Sequence, residues 1–266
     1  MTAQPSRQND RFPWMAAILG FLAFGVLIAL GTWQVQRMQW KEELLASIEK
    51  RTNSAPMPLA EAEALYRTTG DVDYIPVTAT GVFQHAGERH FLATWQGQSG
   101  FYVYTPFELT GGGLVFVNRG FVPYDRKSAA TRPEGQVQGE VTISGLARNP
   151  LQGKPSWIVP NNDPDKNVFY WKDRDGMARS AGLRSADGIV PFFIDADATP
   201  NPGGLPVGGV TMIDMPNNHL QYVITWYGLA LALVGVMGVW FWKRRGGPDL
   251  PPEKVGGGES KFHSTR

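Results

Sequence analysis

Two long apolar segments enclose a central region in which hydrophobic and polar residues alternate. The first segment, residues 12–36, contains no charged residue, and the second, residues 219–242, is followed directly by Lys243, Arg244 and Arg245. A helix needs about 20 apolar residues to cross the roughly 30 Å of hydrocarbon in a bilayer. Both segments meet this requirement, so the pattern predicts two transmembrane helices.

A cleaved signal peptide is the alternative interpretation of the first segment. Signal peptides have a shorter apolar core and a cleavage site made of small residues. Here the apolar run is long, and Trp33, Gln34 and Val35 follow Gly31 and Thr32 where small residues would be needed. The sequence therefore favours a retained membrane helix.

The distribution of basic residues predicts the orientation in the membrane. Lys and Arg are absent from residues 185–242 and frequent immediately afterwards, which places the C-terminus in the cytoplasm by the positive-inside rule. The first span gives a weaker and opposite indication, because basic residues also follow it. We expect cytoplasmic tails at residues 1–11 and 243–266, with residues 37–214 forming a domain on the outer side.

The central region changes from helical periodicity to alternation with a period of two. Helical spacing continues past the first span as far as Ile48 and ends at Ala55–Pro58. Runs rich in Val, Ile, Thr and aromatic residues then predict strands, with Phe169–Lys172 as a further candidate. The predicted strands are Tyr74–Ala79, His90–Trp95, Tyr102–Leu109, Leu114–Arg119, Val137–Leu146 and Pro191–Asp195.

These strands follow one another without alternating helices, which is typical of a mainly antiparallel barrel or sandwich. Gly111–Gly113 predicts a hairpin turn, Asp175–Gly182 a short helix and Pro200–Gly209 a loop. The predicted fold class is a membrane protein whose two transmembrane helices bracket a mainly antiparallel β-rich domain with minor helices.

Composition excludes several kinds of chemistry. The chain has no cysteine, which removes disulfides, thiolate metal sites and covalent haem attachment. Its net charge of +1 argues against a nucleic-acid partner. No nucleotide-binding, hydrolase or zinc-protease motif is present. Asp195 and Asp197 are interpreted as solvated turn carboxylates rather than as a catalytic pair, and we expect no enzymatic activity.

His219 is distinguished by its position at the outer end of the second span. Ionisable residues at or inside a span are often functional. Two interpretations remain open from position alone. His219 is either a ligand, or an interfacial residue that caps the helix together with Asn217 and Asn218.

Several phrases along the chain, taken in order, resemble the SURF1 family of cytochrome c oxidase assembly factors. Each phrase is weak alone, but the ordered set extends from the first span to the end of the second. The phrases are Leu30–Gln34 with Arg37, Trp40 and Lys41; Gly81–Phe83 with His85 and Glu88; Thr105–Phe107; Val117–Pro123; Pro160–Pro164 with Phe169, Tyr170 and Asp173; and Asn217–Tyr222 with Thr225–Ala230.

The resemblance implies a non-catalytic function in the biogenesis of haem–copper oxidases. It implies haem a as the ligand, with His219 as its axial ligand, and oxidase subunit I and other assembly factors as partners, beside membrane lipid. A bacterial member would lie in the inner membrane with its domain in the periplasm. A haem with a lipid-like tail would partition to the interface where His219 lies.

Arg119 and Arg37 are candidate partners for haem propionates. The competing interpretations are a structural arginine in a turn at Asn118–Gly120, and an Arg37 side chain that reaches lipid headgroups. His85 is interpreted as a surface histidine.

Two alternative functions stay open. One is a scaffold that holds subunit I without binding haem. The other is copper handling through Met212, Met215 and His219, which combine soft and borderline donors near the membrane.

Overall fold

The computed structural model describes residues 14–183, 188–211 and 218–245. The helices are α1 (Trp14–Thr52), α2 (Leu59–Thr69), α3 (Arg174–Ser180) and α4 (His219–Arg245). The strands are β1 (Met57–Pro58), β2 (Pro76–Phe83), β3 (Arg89–Trp95), β4 (Gln98–Leu109), β5 (Leu114–Pro123), β6 (Glu140–Arg148) and β7 (Ile189–Ala196). Contacts divide the chain into two units, one within residues 1–41 and 216–266 and the other within residues 42–215.

The larger unit is a closed β-barrel. Its sheet order is β1-β2-β6-β7-β5-β4-β3, and β2 also pairs with β4, so that β2, β6, β7, β5 and β4 form a ring. The pairs β1–β2 and β5–β7 are parallel, whereas the other pairs are antiparallel. Closure gives β2 and β4 a third neighbour, because Gly81–Phe83 of β2 pairs with Phe107–Leu109 of β4, and this satisfies backbone groups that an open edge would leave unpaired.

A glycine permits this closure. Gly81 on β2 lies opposite Leu109 on β4, and a Cβ atom at Gly81 would collide with the carbonyl oxygen of Glu108. Only a residue without a side chain lets the two backbones approach this closely. The seam of the barrel therefore depends on Gly81.

Apolar side chains from β2, β4, β5, β6 and β7 form the main core of this unit. Phe107, Val115, Val117, Phe192 and Ile194 are each fully buried there. Leu59 and Ala62 of α2 pack against the same core. A second cluster, which includes Tyr104, Phe116, Phe169, Met177 and Phe193, joins α3 to the barrel.

The smaller unit contains two apolar helices. In α1 an 18-residue window has a mean hydropathy of 2.3, in α4 the corresponding value is 1.8, and only 6% of each window is buried. Both helices are long and apolar enough to be membrane spans, and their exposed apolar surfaces suit lipid.

The predicted fold class is confirmed: two apolar terminal helices bracket a mainly antiparallel barrel with few other helices.

Several predicted boundaries of strands and helices are wrong. Residues 137–139 precede β6 rather than belonging to it, and Phe169–Lys172 forms only an isolated bridge, between Phe169 and Phe91. Helix α2 is missing from the prediction, although its Ala-, Glu- and Leu-rich sequence is closed by Gly70 in the left-handed conformation.

Candidate functional site

His219 is held by a hydrogen bond to the other apolar helix. Its Nδ1 atom lies 2.8 Å from Oε1 of Gln34, a residue that is only 8% exposed. The two residues are separated by 185 positions in the sequence. His219 is the first residue of α4, and Gln34 lies near the C-terminal end of the apolar part of α1.

Close packing of α1 against α4 brings these side chains together. Gly31 faces the ring of Tyr227, where an added Cβ atom would lie 2.7 Å from Cε1. The neighbouring Thr32 hydroxyl is 3.1 Å from the Tyr227 hydroxyl. Further along, Gly20 faces Met237, so the two helices run antiparallel. Small residues with interhelical hydrogen bonds are typical of helix pairs in membranes.

The Gln34 contact selects one tautomer of the imidazole. A carbonyl oxygen only accepts, so the proton lies on Nδ1 of His219 and donates to Gln34 Oε1. Nε2 then carries the lone pair, and it has no hydrogen-bond partner within residues 14–183, 188–211 and 218–245. A hydrogen bond from one ring nitrogen to an oxygen acceptor is the usual way in which proteins orient a metal-binding histidine.

The surroundings of His219 suit a flat, largely apolar ligand. Trp33, Leu220 and Tyr222 are each more than half exposed, at 55%, 56% and 51%. The site thus combines a pre-oriented imidazole with exposed apolar and aromatic side chains close to it on the same two helices, a set of groups that can hold a haem as cargo.

Arg37 lies on the same side of α1 as Gln34. The two are three residues apart, which places them one above the other on a helix. Arg37 is exposed, and its guanidinium carbon lies 3.9 Å from the ring centroid of Trp40. The structure therefore groups Arg37 with His219 in the helical unit, while Arg119 belongs to the barrel unit.

Arg119 does not lie in a turn after a strand, as the sequence suggested. It lies inside β5, at a bulge where the pairing with β4 passes from Tyr102–Phe121 to Tyr104–Asn118. Two β5 residues, Arg119 and Gly120, thus stand opposite one β4 residue. Gly120 has φ of +123°, and a Cβ atom there would collide with the carbonyl oxygen of Val207. A bulge re-aims side chains, which explains why the adjacent Asn118 and Arg119 are both buried.

The Arg119 guanidinium is 1% exposed and has few partners. Nη2 donates to the carbonyl oxygen of Gly135 and to Oδ1 of Asn201, the latter at 2.9 Å, and the guanidinium lies 4.7 Å from the ring centroid of Phe83. Nε and Nη1 have no partner among the described residues. Burial lowers the pKa of Arg119 to about 10, so the group remains charged at neutral pH.

A second buried charge cluster lies near Arg119. Glu88 is 5% exposed, accepts two hydrogen bonds from Arg132, and lies 2.9 Å from Nε2 of His90. Burial opposes ionisation of Glu88, but the hydrogen bonds from His90 and Arg132 prevail and hold its pKa below the ordinary value. Sequence inspection did not identify Arg132, because it is 44 residues from Glu88 and no local pattern links them.

The remaining acidic candidate is structural. Oδ1 of Asp195 accepts from Nδ2 of Asn118 at 2.9 Å, and Oδ2 accepts from the Thr211 hydroxyl at 2.9 Å. Asp195 is 4% exposed, whereas Asp197 is exposed. The interpretation of Asp195 as a solvated turn carboxylate is therefore wrong, because it is buried within β7 and hydrogen-bonded there, whereas Asp197 is exposed.

Comparisons with known proteins give the family. The SURF1 family model matches residues 21–231. Surfeit locus protein 1 of Rattus norvegicus is 37% identical over 248 residues, which is 87% of this chain and 76% of the rat protein. The Homo sapiens protein of that name is 36% identical over 262 residues, or 91% of this chain and 81% of its own length.

The chain belongs to the SURF1 family. A SURF1-like protein of Monosiga brevicollis is also similar, at 36% identity over 259 residues, covering 92% of both chains. Family membership and the two apolar helices together describe a membrane protein.

The SURF1 phrases noted in the sequence lie at the sites described here. Gln34 and His219 belong to the first and last phrases, Glu88 to the second, and Arg119 to the phrase that contains the bulge. Gln34 had no predicted role, although it is a polar residue at the end of an apolar helix. Met212, Met215 and Asn217 lie outside the described residues, so the copper and capping interpretations of those residues stay predictions.

Proposed function

We propose that this protein binds haem a in the membrane and assists its insertion into cytochrome c oxidase, with His219 as an axial ligand to the haem iron. Membership of the SURF1 family supports a role as a cytochrome oxidase assembly factor. The haem is cargo in this proposal, so no reaction at a bound cofactor is invoked.

The observation that carries the proposal is the 2.8 Å contact between Gln34 and His219. Because Gln34 holds the proton on Nδ1, Nε2 is available as an electron-pair donor. The same contact holds α1 against α4, as interhelical hydrogen bonds do in membrane proteins, so the haem content of His219→Leu is the measurement that separates a ligand from a packing residue. The exposed aromatic side chains around His219 add an apolar surface, and Arg37 adds a cation on the adjacent turn of α1 for a propionate.

The proposed partners are oxidase subunit I and other oxidase assembly factors. Subunit I would receive the haem at the level of the membrane interface, where His219 lies. The proposed location is the bacterial inner membrane, with both termini in the cytoplasm and the barrel in the periplasm. Lys243, Arg244 and Arg245 after α4 support this orientation.

The decisive experiment is purification in detergent from cells that make haem a, followed by an absorbance spectrum and pigment extraction. We expect bound haem a in the wild-type protein and its loss in His219→Leu. His85→Ala is the matched control, because it removes a half-buried histidine from the barrel unit. His90→Ala is a poor control, since His90 is buried against Glu88.

The outcomes separate the proposal from its alternatives. An unchanged haem content and spectrum in His219→Leu would exclude His219 as the ligand. Wild-type protein that never carries haem, but still co-purifies with subunit I, would support the scaffold function. Wild-type protein that binds copper but no haem would support copper handling, provided that His219→Leu binds less copper per protein molecule.

A further inference from the structure

The barrel contains a cavity that the proposed haem site does not use. Its volume is about 210 Å³, which is smaller than the roughly 300–1,000 Å³ of pockets that enclose drug-sized ligands. Apolar groups of Phe83, Val141, Ile143, Ala196 and Pro200 form part of its wall. Arg119 also lines the cavity, together with polar residues that include Thr142, Ser144, Asp197 and Asn201, so a nearly fully buried cation meets a space with a mixed polar and apolar lining.

The charge of Arg119 is uncompensated within the described residues. The charged groups that act on it electrostatically are Glu88 and Arg132, and these two are paired with each other. Burial lowers the pKa of the nearby His85, so its imidazole adds no charge at neutral pH. A buried ion without a counter-ion is strongly unfavourable, by several kcal/mol in proteins after relaxation. One positive charge thus remains to be balanced.

Hydrogen-bonding groups around Arg119 are also unsatisfied. Nε and Nη1 of Arg119 and both polar side-chain atoms of Gln136 are buried without partners in the described parts of the chain. Gln136 adjoins Gly135, whose carbonyl accepts from Arg119, and Val137, which lines the cavity. Native proteins leave few buried polar groups unpaired, so these atoms need a partner such as a water molecule, an ion or a group of a ligand.

We propose that the Arg119 cavity binds the carboxylate of a ligand that carries a short aliphatic arm. A carboxylate supplies the missing charge and accepts from guanidinium N–H groups, while the apolar wall contacts the arm. The carboxylate of Asp197 also lines the cavity, but Asp197 is exposed to solvent and is not among the charged groups that act on the buried guanidinium, so it does not replace the carboxylate of a ligand. Arg119, at the β-bulge of β5, forms part of the wall of this cavity.

The carboxylate can come from two sources: a free short-chain acid, or one arm of a larger molecule such as a porphyrin propionate. The cavity is far too small for a whole porphyrin, so in the second case only the arm would enter. The proposal stands without His219, and its measurement uses the barrel residues alone. Failure here would therefore leave the proposed haem ligand intact, and the reverse also holds.

The test uses the full-length protein in detergent, titrated with n-butyrate and with the neutral, similarly shaped butyramide by isothermal calorimetry. We expect butyrate to bind at least tenfold more tightly than butyramide, and Arg119→Met to abolish the difference. Arg67→Met is the matched control, because its side chain is 68% exposed on α2. In a second titration, the binding of protohaem is compared with that of its dimethyl ester.

Each outcome decides the proposal. Butyrate selectivity with equal binding of the two porphyrins identifies a free acid as the source. Tighter binding of protohaem than of its ester, lost in Arg119→Met, identifies a propionate arm. Should Arg119→Met fail to fold, Ser144→Phe fills the cavity from an exposed position and must remove the selectivity. Equal binding of butyrate and butyramide, together with equal binding of both porphyrins, overturns the proposal.

Discussion

Replacement of Arg132 by Met should destabilise the barrel through the carboxylate that it leaves behind. The side chains of Arg132 and Glu88 are only 2% and 5% exposed, so solvent cannot replace the lost partner. Removing one member of a buried ion pair costs about 3–5 kcal/mol. With a urea slope of about 2 kcal/mol per M, a cost of about 4 kcal/mol lowers the unfolding midpoint by about 2 M.

The pH dependence gives this prediction a specific signature. In the wild-type protein the pKa of Glu88 is depressed, so the stability that the pair contributes is present at neutral pH and is lost as pH falls through that folded-state pKa. In Arg132→Met the main cation is gone and burial raises the pKa of Glu88. The variant then gains stability as Glu88 takes up a proton. The difference in unfolding free energy between the wild-type protein and Arg132→Met therefore becomes smaller from pH 7 towards pH 4.

Urea unfolding followed by near-ultraviolet circular dichroism measures these quantities in detergent, because the aromatic core of the barrel gives the signal. Arg126→Met is the control, since its side chain is 51% exposed. The double variant Glu88→Met, Arg132→Met should recover most of the loss, because it removes both buried charges. A deficit below about 1 kcal/mol at pH 7, or one that does not change with pH, would refute the reasoning.

Three further predictions concern the helix pair, the barrel seam and the imidazole. Gly31→Leu should weaken the packing of α1 against Tyr227 and lower the thermal unfolding temperature measured by helical circular dichroism, whereas Gly25→Leu, which has no atom within 4 Å of its added Cβ, should not. Gly81→Ala should destabilise the barrel by about 1–3 kcal/mol or more in urea unfolding, whereas the control Gly153→Ala should lose no stability. Equal urea midpoints for the two variants would contradict the described closure. If His219 binds haem as proposed, Gln34→Leu should weaken that binding about 10–100-fold by spectroscopic titration while Gln34→Glu retains it, and equal affinities would remove Gln34 from a positioning role.

Local periodicity was sufficient to predict the two long helices and most strands, because it depends on neighbours along the chain. The alternation of burial in β6 follows from its having one side towards the core, whereas β5 is buried along almost its whole length, and α1 is recognised by the length of its apolar run. The pairing of β2 with β4 and the contact of Arg132 with Glu88 depend on the closed topology. No local pattern specifies either one.

The candidate site, too, could be predicted from the sequence only where it depends on local features. The position of His219 at the end of an apolar segment made it a candidate, yet its orientation depends on Gln34, 185 residues away. Asn118–Gly120 has the composition of a turn, and for that reason the sequence suggested one. The structure uses the same glycine inside a strand, where its positive φ permits a bulge.

The bond between Gln34 and His219 also sets an order of events during synthesis. Gln34 leaves the ribosome early, whereas His219 is made 185 residues later, after every strand of the barrel. At about 5–20 residues per second, the first half of the site waits roughly 10–40 s for the second. A nascent chain therefore has no pre-oriented imidazole to offer, and a truncated product that ends before α4 lacks one permanently. Only a chain translated through α4 carries the oriented histidine, so the site itself distinguishes such a chain from shorter fragments.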